Sequence, residues 1–176
     1  QKALARMRRT VQDMEALLET LLMLARETET SMPKEDVVVN DLVVGQMELL
    51  TPAARRAGIS LALHEEAELR VRAPVKVVEI VIGNLMRNAV NYTREGQVEV
   101  TIDRNGVSVA DTGVGMSGEE LERAFDPFYR ADQSRGITRG HGLGLSIVKR
   151  LVRQFGWSIS AHSRPGEGTT IQVRFV

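Results

Sequence analysis

The short turn Asn105-Gly106 constrains the fold of this chain more than any other feature. It separates two runs in which apolar and polar residues alternate, Gln97–Arg104 and Val107–Asp111. Strands joined by two residues that tolerate positive φ have to be antiparallel neighbours. The same alternation predicts further strands at Val37–Val39, Ile59–Leu63, Ser158–Ser163 and Thr169–Phe175.

Helix signals interleave with these strands. Helices are predicted at Asn40–Ala57, with Asn40 as its N-cap and Gly58 after its end, at Pro74–Thr93, at Ser117–Arg123, and at Gly144–Phe155, which Gly156 stops. Because helices alternate with strands and one strand pair is a hairpin, the sequence predicts an α/β (α+β) two-layer sandwich. Its mixed sheet is expected to carry helices on one face.

The first thirty residues contain neither Gly nor Pro and show a different pattern. Their apolar positions alternate steps of three and four, at Leu4, Met7, Val11, Met14, Leu18, Leu21 and Ala25. Such a heptad seam favours a coiled-coil-like helix with a partner helix, and an amphipathic helix folded onto its own domain is the alternative. The predicted organisation is a helix at 1–30, a linker at 31–36 and a domain at 37–176.

Charge and composition exclude several classes of partner. Lys plus Arg and Asp plus Glu number 23 each, so the formal charge is +0, and no nucleic acid is expected as a partner. There is no cysteine, which excludes disulfides and thiolate metal sites. No apolar run approaches the ~20 residues of a membrane helix and no signal peptide is visible, so no membrane contact by this stretch is expected.

Two asparagines lie on one stripe of the predicted Pro74–Thr93 helix. Asn84 and Asn88 are one turn apart, and Asn91 and Tyr92 follow a turn later. Asn is a poor helix former, so the pair is unusual in a core helix. Amide oxygens suit Mg²⁺, which takes one or two protein ligands and the rest from phosphate and water. A hydrated helix face without a ligand is the alternative.

An acidic residue ends the second strand of the hairpin. Asp111 is followed by Thr112-Gly113-Val114-Gly115. A carboxylate at a strand end can accept a hydrogen bond from an adenine amino group, and Gly113 and Gly115 let the backbone approach the base. A plain turn closed by an aspartate is the alternative.

Three further motifs follow downstream. Gly140-His141-Gly142-Leu143-Gly144 precedes a helix, where glycines expose N–H groups to an anion, and His141 is interpreted as a loop residue. Phe125-Asp126-Pro127-Phe128-Tyr129-Arg130 can anchor a lid through its Phe residues and reach a phosphate through Arg130. Gly166-Glu167-Gly168-Thr169 precedes the last strand, and the Thr169 hydroxyl can make a second adenine contact or belong to a plain turn.

In this order and spacing the motifs resemble the N, G1, F, G2 and G3 boxes of sensor histidine kinases, a branch of the gyrase-like and chaperone-like ATPases. The resemblance covers about residues 35–176. The first thirty residues, with Leu21–Arg26, resemble the second helix of that family's dimerisation domain. The resemblance implies a histidine kinase catalytic domain, an ATP-dependent phosphotransferase of a two-component pathway. It would bind Mg-ATP under a mobile lid at Met116–Arg139.

The resemblance also implies roles for single residues. Asp111 would bind the adenine amino group with support from Thr169 through water, Tyr92 would line the base pocket, and Asn88 would ligate Mg²⁺. The catalytic pair would be Asn84 and Arg130, with Arg130 close to the γ-phosphate. The other implied nucleotide-binding positions are Asn91, Gly113, Gly115, Gly140, His141, Gly142, Leu143 and Gly144.

Some positions depart from the family pattern. Asn91 stands where Lys or Arg is common, which removes one phosphate contact unless another residue supplies it. Asn84 stands where hydrolysing relatives carry Glu, and because an amide is a poor proton acceptor it favours transfer to a separate acceptor. None of His64, His141 and His162 has the acidic, Arg, Thr and Pro context of the family's phosphate acceptor. The chain is therefore expected to bind ATP but not to phosphorylate itself.

The resemblance implies partners outside this stretch: a dimerisation/phosphoacceptor domain and a cognate response regulator, in a full-length homodimer. The stretch is expected to be the cytoplasmic portion of an inner-membrane sensor protein. Three alternatives stay open, namely an ATP-hydrolysing clamp, an anti-sigma-factor-type serine kinase, and an ATP-binding regulatory module without catalysis. The heptad helix favours the histidine kinase over the serine kinase.

Overall fold

The computed structural model describes residues 33–130 and 142–176. Residues 34–176 form one compact unit. The predicted heptad helix, residues 31 and 32 of the predicted linker, Gly140, His141 and the second part of the predicted lid lie outside the described residues. The division into helix, linker and domain therefore stays a prediction.

The described residues form seven strands and four helices. The strands are β1 (Glu35–Val38), β2 (Ile59–Glu65), β3 (Arg70–Ala73), β4 (Gly96–Ile102), β5 (Gly106–Asp111), β6 (Ser158–Arg164) and β7 (Gly168–Arg174). The helices are α1 (Val39–Ala57), α2 (Val75–Tyr92), α3 (Gly118–Arg123) and α4 (Gly144–Gln154). Within these residues no helix is long and apolar enough to cross a membrane.

The main sheet has five strands in the order β2-β4-β5-β7-β6. β2 and β4 are parallel, and the other neighbours are antiparallel. β1 and β3 form a separate antiparallel pair. The predicted two-layer sandwich with a mixed sheet is therefore confirmed, and β3 is an addition. Its four residues alternate in the manner of a strand but are too few for the pattern to stand out.

Helix α2 lies at the centre of the core. Val78, Val81 and Ile82 on its inner side are fully buried, opposite the stripe that carries the asparagines. Only one face of the sheet packs against this helix layer. In β4, Val98 and Val100 are buried, whereas Gln97, on the opposite face of the strand, is exposed. Each buried aliphatic side chain contributes roughly 1.5–3 kcal/mol. This packing holds α2 against the sheet beside β5.

The hairpin between β4 and β5 turns one residue earlier than predicted. The Asp103 N–H donates to the Gly106 carbonyl at 3.1 Å, so Arg104 and Asn105 are the central residues, and neither has positive φ. The Asp103 carboxylate organises the turn by accepting the Asn105 and Gly106 amides at 2.7 and 2.8 Å. Gly106 is needed in β5 because a Cβ there would collide with the Val173 carbonyl.

The predicted capping role of Asn40 is wrong. Helix α1 begins one residue earlier, and its N-cap Val38 provides no side-chain hydrogen bond. The Asn40 side chain instead holds the β2–β3 loop. It accepts the Leu69 amide at 2.9 Å and donates to the Ala67 carbonyl at 3.1 Å. A side-chain amide can cap a helix or bind a loop through the same kinds of hydrogen bond. Only the position of the β2–β3 loop shows which of the two Asn40 does.

Candidate functional site

Asp111 is the last residue of β5 and is half-buried. Its Oδ1 accepts the Gly113 amide at 2.8 Å and the Thr169 amide at 3.3 Å. Burial raises the pKa of the Asp111 carboxyl, and these two amide hydrogen bonds offset part of the rise. Because both amides bind Oδ1, neither occupies Oδ2. These two hydrogen bonds therefore leave the lone pairs of the second carboxylate oxygen for another donor.

The loop after Asp111 packs onto the C-terminal end of α2. A Cβ at Gly113 would collide with the Tyr92 carbonyl oxygen, and the same carbonyl accepts the Val114 amide at 3.2 Å. Glycine is needed there for close approach. The contact places Tyr92, which is half-buried, beside Asp111. Two residues that are nineteen positions apart in the sequence thus lie at one end of the site.

Asp111, Thr169 and Ser163 form one row across three strands. Asp111 pairs with Thr169 in β7, and Thr169 pairs with Ser163 in β6, so the three side chains share one face of the sheet. The Ser163 and Thr169 hydroxyl oxygens are 2.8 Å apart. Ser163 was not singled out by the sequence analysis. The sequence signal for Ser163 is its position six residues before Thr169, on the other strand of a tight hairpin. This spacing predicts that the two residues pair only once the strand register is known.

The two stacked asparagines are half-buried on α2, and Asn91 is exposed beyond them. Asn84 Nδ2 donates to the Ile80 carbonyl at 2.8 Å, and Asn84 Oδ1 accepts a hydrogen bond from Arg87 Nη2 at 3.2 Å. Arg87 is a second residue that the sequence analysis did not single out, although it lies one turn from Asn84. These contacts fix the Asn84 amide in one orientation.

The start of α4 faces the asparagine pair. A Cβ built on Gly144 would lie 3.1 Å from Asn84 Oδ1 and 3.6 Å from Asn88 Oδ1. The N-cap residue Leu143 provides no side-chain hydrogen bond to the helix. The first amides of α4 and the positive end of its dipole therefore attract an anion beside two amide oxygens that suit a cation. This combination fits a magnesium phosphate group.

Magnesium fits the chemistry of this donor set. Within the described ranges there is no cluster of three His, Asp or Glu side chains that could hold a metal ion. Mg²⁺ commonly takes only one or two protein oxygens and completes its octahedron with phosphate and water. An amide oxygen beside an anion-attracting helix start meets that requirement.

The Phe-rich segment is joined to the start of α4 through its backbone. The Phe128 amide donates to the Gly142 carbonyl at 2.8 Å, and a Cβ at Gly142 would lie 2.7 Å from the Tyr129 carbonyl. Phe128 is 73% exposed. Arg130 lies two residues after Phe128 and is half-buried. The approach of Arg130 to a phosphate stays a prediction, as do the roles of Gly140 and His141.

Helix α2 connects the two ends of the site. Tyr92 lies beside Asp111, and Asn84 and Asn88 lie beside Gly144. Eight residues separate Asn84 from Tyr92, which is about 12 Å of helix. The structure thus gathers the predicted residues of four separate motifs along one helix, with the Asp111 carboxylate at one end and the start of α4 at the other.

A two-layer sandwich with these features defines a nucleotide-binding domain, and sequence comparison identifies its family. Residues 74–176 match the family described as histidine kinase-, DNA gyrase B- and HSP90-like ATPases. The chain belongs to this family. The matched range includes all five motifs, from the asparagine stripe to Thr169.

Within the family, the relatives are histidine kinases. The chain is 39% identical over 140 residues to the histidine protein kinase DivJ of Caulobacter vibrioides, which covers 76% of this chain and 24% of DivJ. It is 33% identical over 144 residues to the sensor-like histidine kinase SenX3 of Mycobacterium tuberculosis, covering 78% of this chain and 35% of SenX3. The chain thus spans well under half the length of the curated relatives it matches.

Solved structures show the same fold. Full-length ShkA in complex with AMPPNP is similar with a TM-score of 0.77 at 28% identity, over 99% of this chain and 38% of ShkA. The catalytic domain of histidine kinase ThkA is similar with a TM-score of 0.69 at 26% identity, over 81% of this chain and 97% of that domain. The resemblance to sensor histidine kinases inferred from the sequence motifs is confirmed.

Proposed function

We propose that this chain binds Mg-ATP and transfers the γ-phosphoryl group to a histidine outside the stretch, as the catalytic part of a histidine kinase. The observation that carries the proposal is that two separate features occur along one helix. Neither amide hydrogen bond of Asp111 occupies its Oδ2, and the start of α4 beside Asn88 has no side-chain cap. One end suits an adenine amino group and the other suits a triphosphate. The ShkA structure, solved with AMPPNP, supports this choice of ligand.

At the base end, the proposal assigns recognition of the adenine amino group to Asp111. The carboxylate is desolvated, and a hydrogen bond to a desolvated charged acceptor is stronger than one in water. A guanine carbonyl in the same place would face the carboxylate oxygen and be repelled. Tyr92 lines the base pocket, and Thr169 supports the contact.

At the phosphate end, the proposal assigns phosphate contacts to the backbone of Gly142, Leu143 and Gly144. Asn88 holds Mg²⁺, which when bound neutralises part of the charge on the transferred phosphoryl group. Asn84 is a poor proton acceptor, and its amide is already bonded to the Ile80 carbonyl and to Arg87. It therefore favours transfer to a separate acceptor over activation of water. Arg130 approaches the γ-phosphate from the lid.

The proposed partners are those of the full-length relatives. A dimerisation/phosphoacceptor domain supplies the histidine, a cognate response regulator receives the phosphoryl group, and the parent works as a homodimer. The stretch is proposed to be the cytoplasmic portion of a membrane-anchored sensor. The sequences of the histidine kinase relatives support these assignments.

The test of ATP binding is a calorimetric titration of the whole chain. We expect ATP to bind at least about tenfold more tightly than GTP, because a site built for an amino group rejects a carbonyl. Asp111→Asn should lower the ATP affinity by about a hundredfold, since it removes a charged acceptor worth about 3 kcal/mol. A folded wild-type chain that binds neither nucleotide would move the regulatory-module alternative to first place.

The test of phosphotransfer uses a supplied acceptor. The chain is mixed with radiolabelled Mg-ATP and the dimerisation domain of one of its histidine kinase relatives, and the labelled product is treated with acid. Phosphohistidine loses its label in acid, whereas phosphoserine retains it. An acid-stable product would support the serine kinase alternative, and release of inorganic phosphate without a labelled acceptor would support the hydrolysing clamp.

A further inference from the structure

The hydroxyl of Ser163 lies between three groups that come from two other segments of the chain, the residue Met116 and the start of β7. It accepts the Met116 amide at 2.8 Å, it donates to the Gly168 carbonyl at 3.0 Å, and its oxygen lies 2.8 Å from the Thr169 hydroxyl oxygen. Met116 begins the predicted lid, and Thr169 is the partner of Asp111 in the neighbouring strand. One half-buried side chain therefore contacts both the lid and the base end of the site.

Counting donors and acceptors fixes the direction of each bond. A serine hydroxyl has one proton and two lone pairs. The Gly168 carbonyl can only accept, so the Ser163 hydroxyl donates its hydrogen bond to it. The Met116 amide can only donate, so it binds one lone pair of the Ser163 oxygen. The second lone pair is left for Thr169. In the arrangement that satisfies all three contacts, the Thr169 hydroxyl donates its proton to Ser163.

This direction determines what Thr169 offers to a ligand. With its proton committed to Ser163, the Thr169 oxygen presents lone pairs to the base end. Asp111 Oδ2 lies in the same row of the sheet and is also an acceptor. Two acceptors side by side match the adenine amino group, which donates to Asp111, and a water that bridges this group to Thr169. They oppose a carbonyl that lies directly against them, because both sides would then be acceptors.

We propose that Ser163 is a positioning residue for base selection: it holds the Thr169 hydroxyl proton away from the base and ties that hydroxyl to the first residue of the lid. The inference rests on the proposed function, since it deepens the account of the adenine site. Without Ser163 the Thr169 hydroxyl can rotate and donate to a carbonyl. GTP is then rejected less strongly, even though no group that touches the base has been removed.

The variants are chosen to separate this role from a structural one. Ser163→Ala removes the hydroxyl, and Ser163→Thr restores it on a side chain that suits a strand. Ser160→Ala is the matched control, because Ser160 lies in the same strand with its side chain exposed on the opposite face. Thr169→Val removes the hydroxyl through which Ser163 is proposed to act.

The readout is the ratio of the Kd for GTP to the Kd for ATP, measured by calorimetry on the whole chain. We expect Ser163→Ala to lower this ratio about three- to tenfold, the range of one hydrogen bond. The ratio should be unchanged in Ser160→Ala and restored in Ser163→Thr. In the Thr169→Val background, Ser163→Ala should change the ratio no further.

Amide exchange at Met116 supplies a second readout, which should become faster in Ser163→Ala and return to the wild-type rate in Ser163→Thr. If Ser163→Ala does not fold, Ser163→Cys replaces it, because a thiol is a weak donor of similar size. The inference is overturned if Ser163→Ala weakens ATP and GTP equally, or if Ser160→Ala changes the ratio as much. A wild-type chain that binds neither nucleotide contradicts the proposed function instead, so the two failures are distinguishable.

Discussion

The proposed base end and the proposed phosphate end of the site are built in different ways. At the base end, Asp111, Thr169 and Ser163 form a row across three strands and are linked by hydrogen bonds of 2.8 to 3.3 Å. At the phosphate end, Asn84 and Asn88 project from one helix toward the start of another. The first end depends on strand register, whereas the second depends on the position of one helix start.

The glycines show how the two ends differ in their tolerance of a larger side chain. A Cβ at Gly168 would collide with the Asp111 carbonyl, and one at Gly115 would collide with the Arg164 carbonyl. At Gly144 the nearest atoms are the amide oxygens of two side chains, at 3.1 and 3.6 Å. The base end is thus closed by backbone against backbone, which cannot yield. At Gly144 the neighbours are side chains, which can shift by a few tenths of an ångström.

The largest expected effect comes from Gly168→Ala. The added methyl would meet the Asp111 carbonyl from a backbone at φ +110, so we expect the free energy of unfolding to fall by about 4 kcal/mol. Gly166→Ala in the same hairpin also has positive φ, but nothing lies within 4 Å of its Cβ. That control should cost only about 1 kcal/mol. Equal losses in urea unfolding would contradict the close-packed base end.

Asn88→Ala should affect only the phosphate end. We expect the affinity for Mg-ATP to fall about tenfold, which is 1.4 kcal/mol, because the amide oxygen beside Gly144 is removed. The affinity for AMP should be unchanged, and so should that for ATP measured in EDTA. If AMP binding fell equally, the division of the site into two ends would be wrong.

Ser117→Ala should have a smaller and local effect. Ser117 caps α3 and forms a capping box with Glu120, in which each side chain binds the other's backbone amide at 3.3 and 2.8 Å. Its loss should cost about 1 kcal/mol and raise amide exchange in α3 about fivefold. Exchange in β5 and β7 should stay at the wild-type rate. Faster exchange there would show that the base end is not independent of this helix.

The pH dependence of stability should reveal the cost of burying the Asp111 carboxylate. Burial raises the pKa of Asp111 above its ordinary value of 3.8, so the folded state holds this proton more tightly than the unfolded state. The stability that Asp111 contributes is therefore present below pH 3.8 and is lost as the pH rises through the raised pKa. Asp111→Asn removes this loss. The free energy of unfolding of the Asp111→Asn variant minus that of the wild type should therefore rise with pH and then level off. A difference that is constant with pH would contradict the raised pKa of Asp111.

The sequence by itself determined the fold class and the five motifs. Periodicity and turn residues predicted six of the seven described strands and all four described helices to within a few residues. The reason is that local pattern and burial agree in these elements: Val98 and Val100 alternate with polar residues in β4, and Val78, Val81 and Ile82 share one side of α2. The proposed roles of Asp111 and of the stacked asparagines were predicted from their places at a strand end and on one helix stripe.

Only the tertiary structure decided which residues meet. The use of Asn40 as a loop clamp, the close approach of Gly113 to the Tyr92 carbonyl, and the row that joins Ser163 to Asp111 all depend on contacts between segments far apart in the chain. A side-chain pattern encodes local conformation, because it acts on neighbouring dihedral angles and on one face of an element. Strand register and loop packing are set by the whole core, so the partner of a hydroxyl such as Ser163 is fixed only when the sheet has assembled.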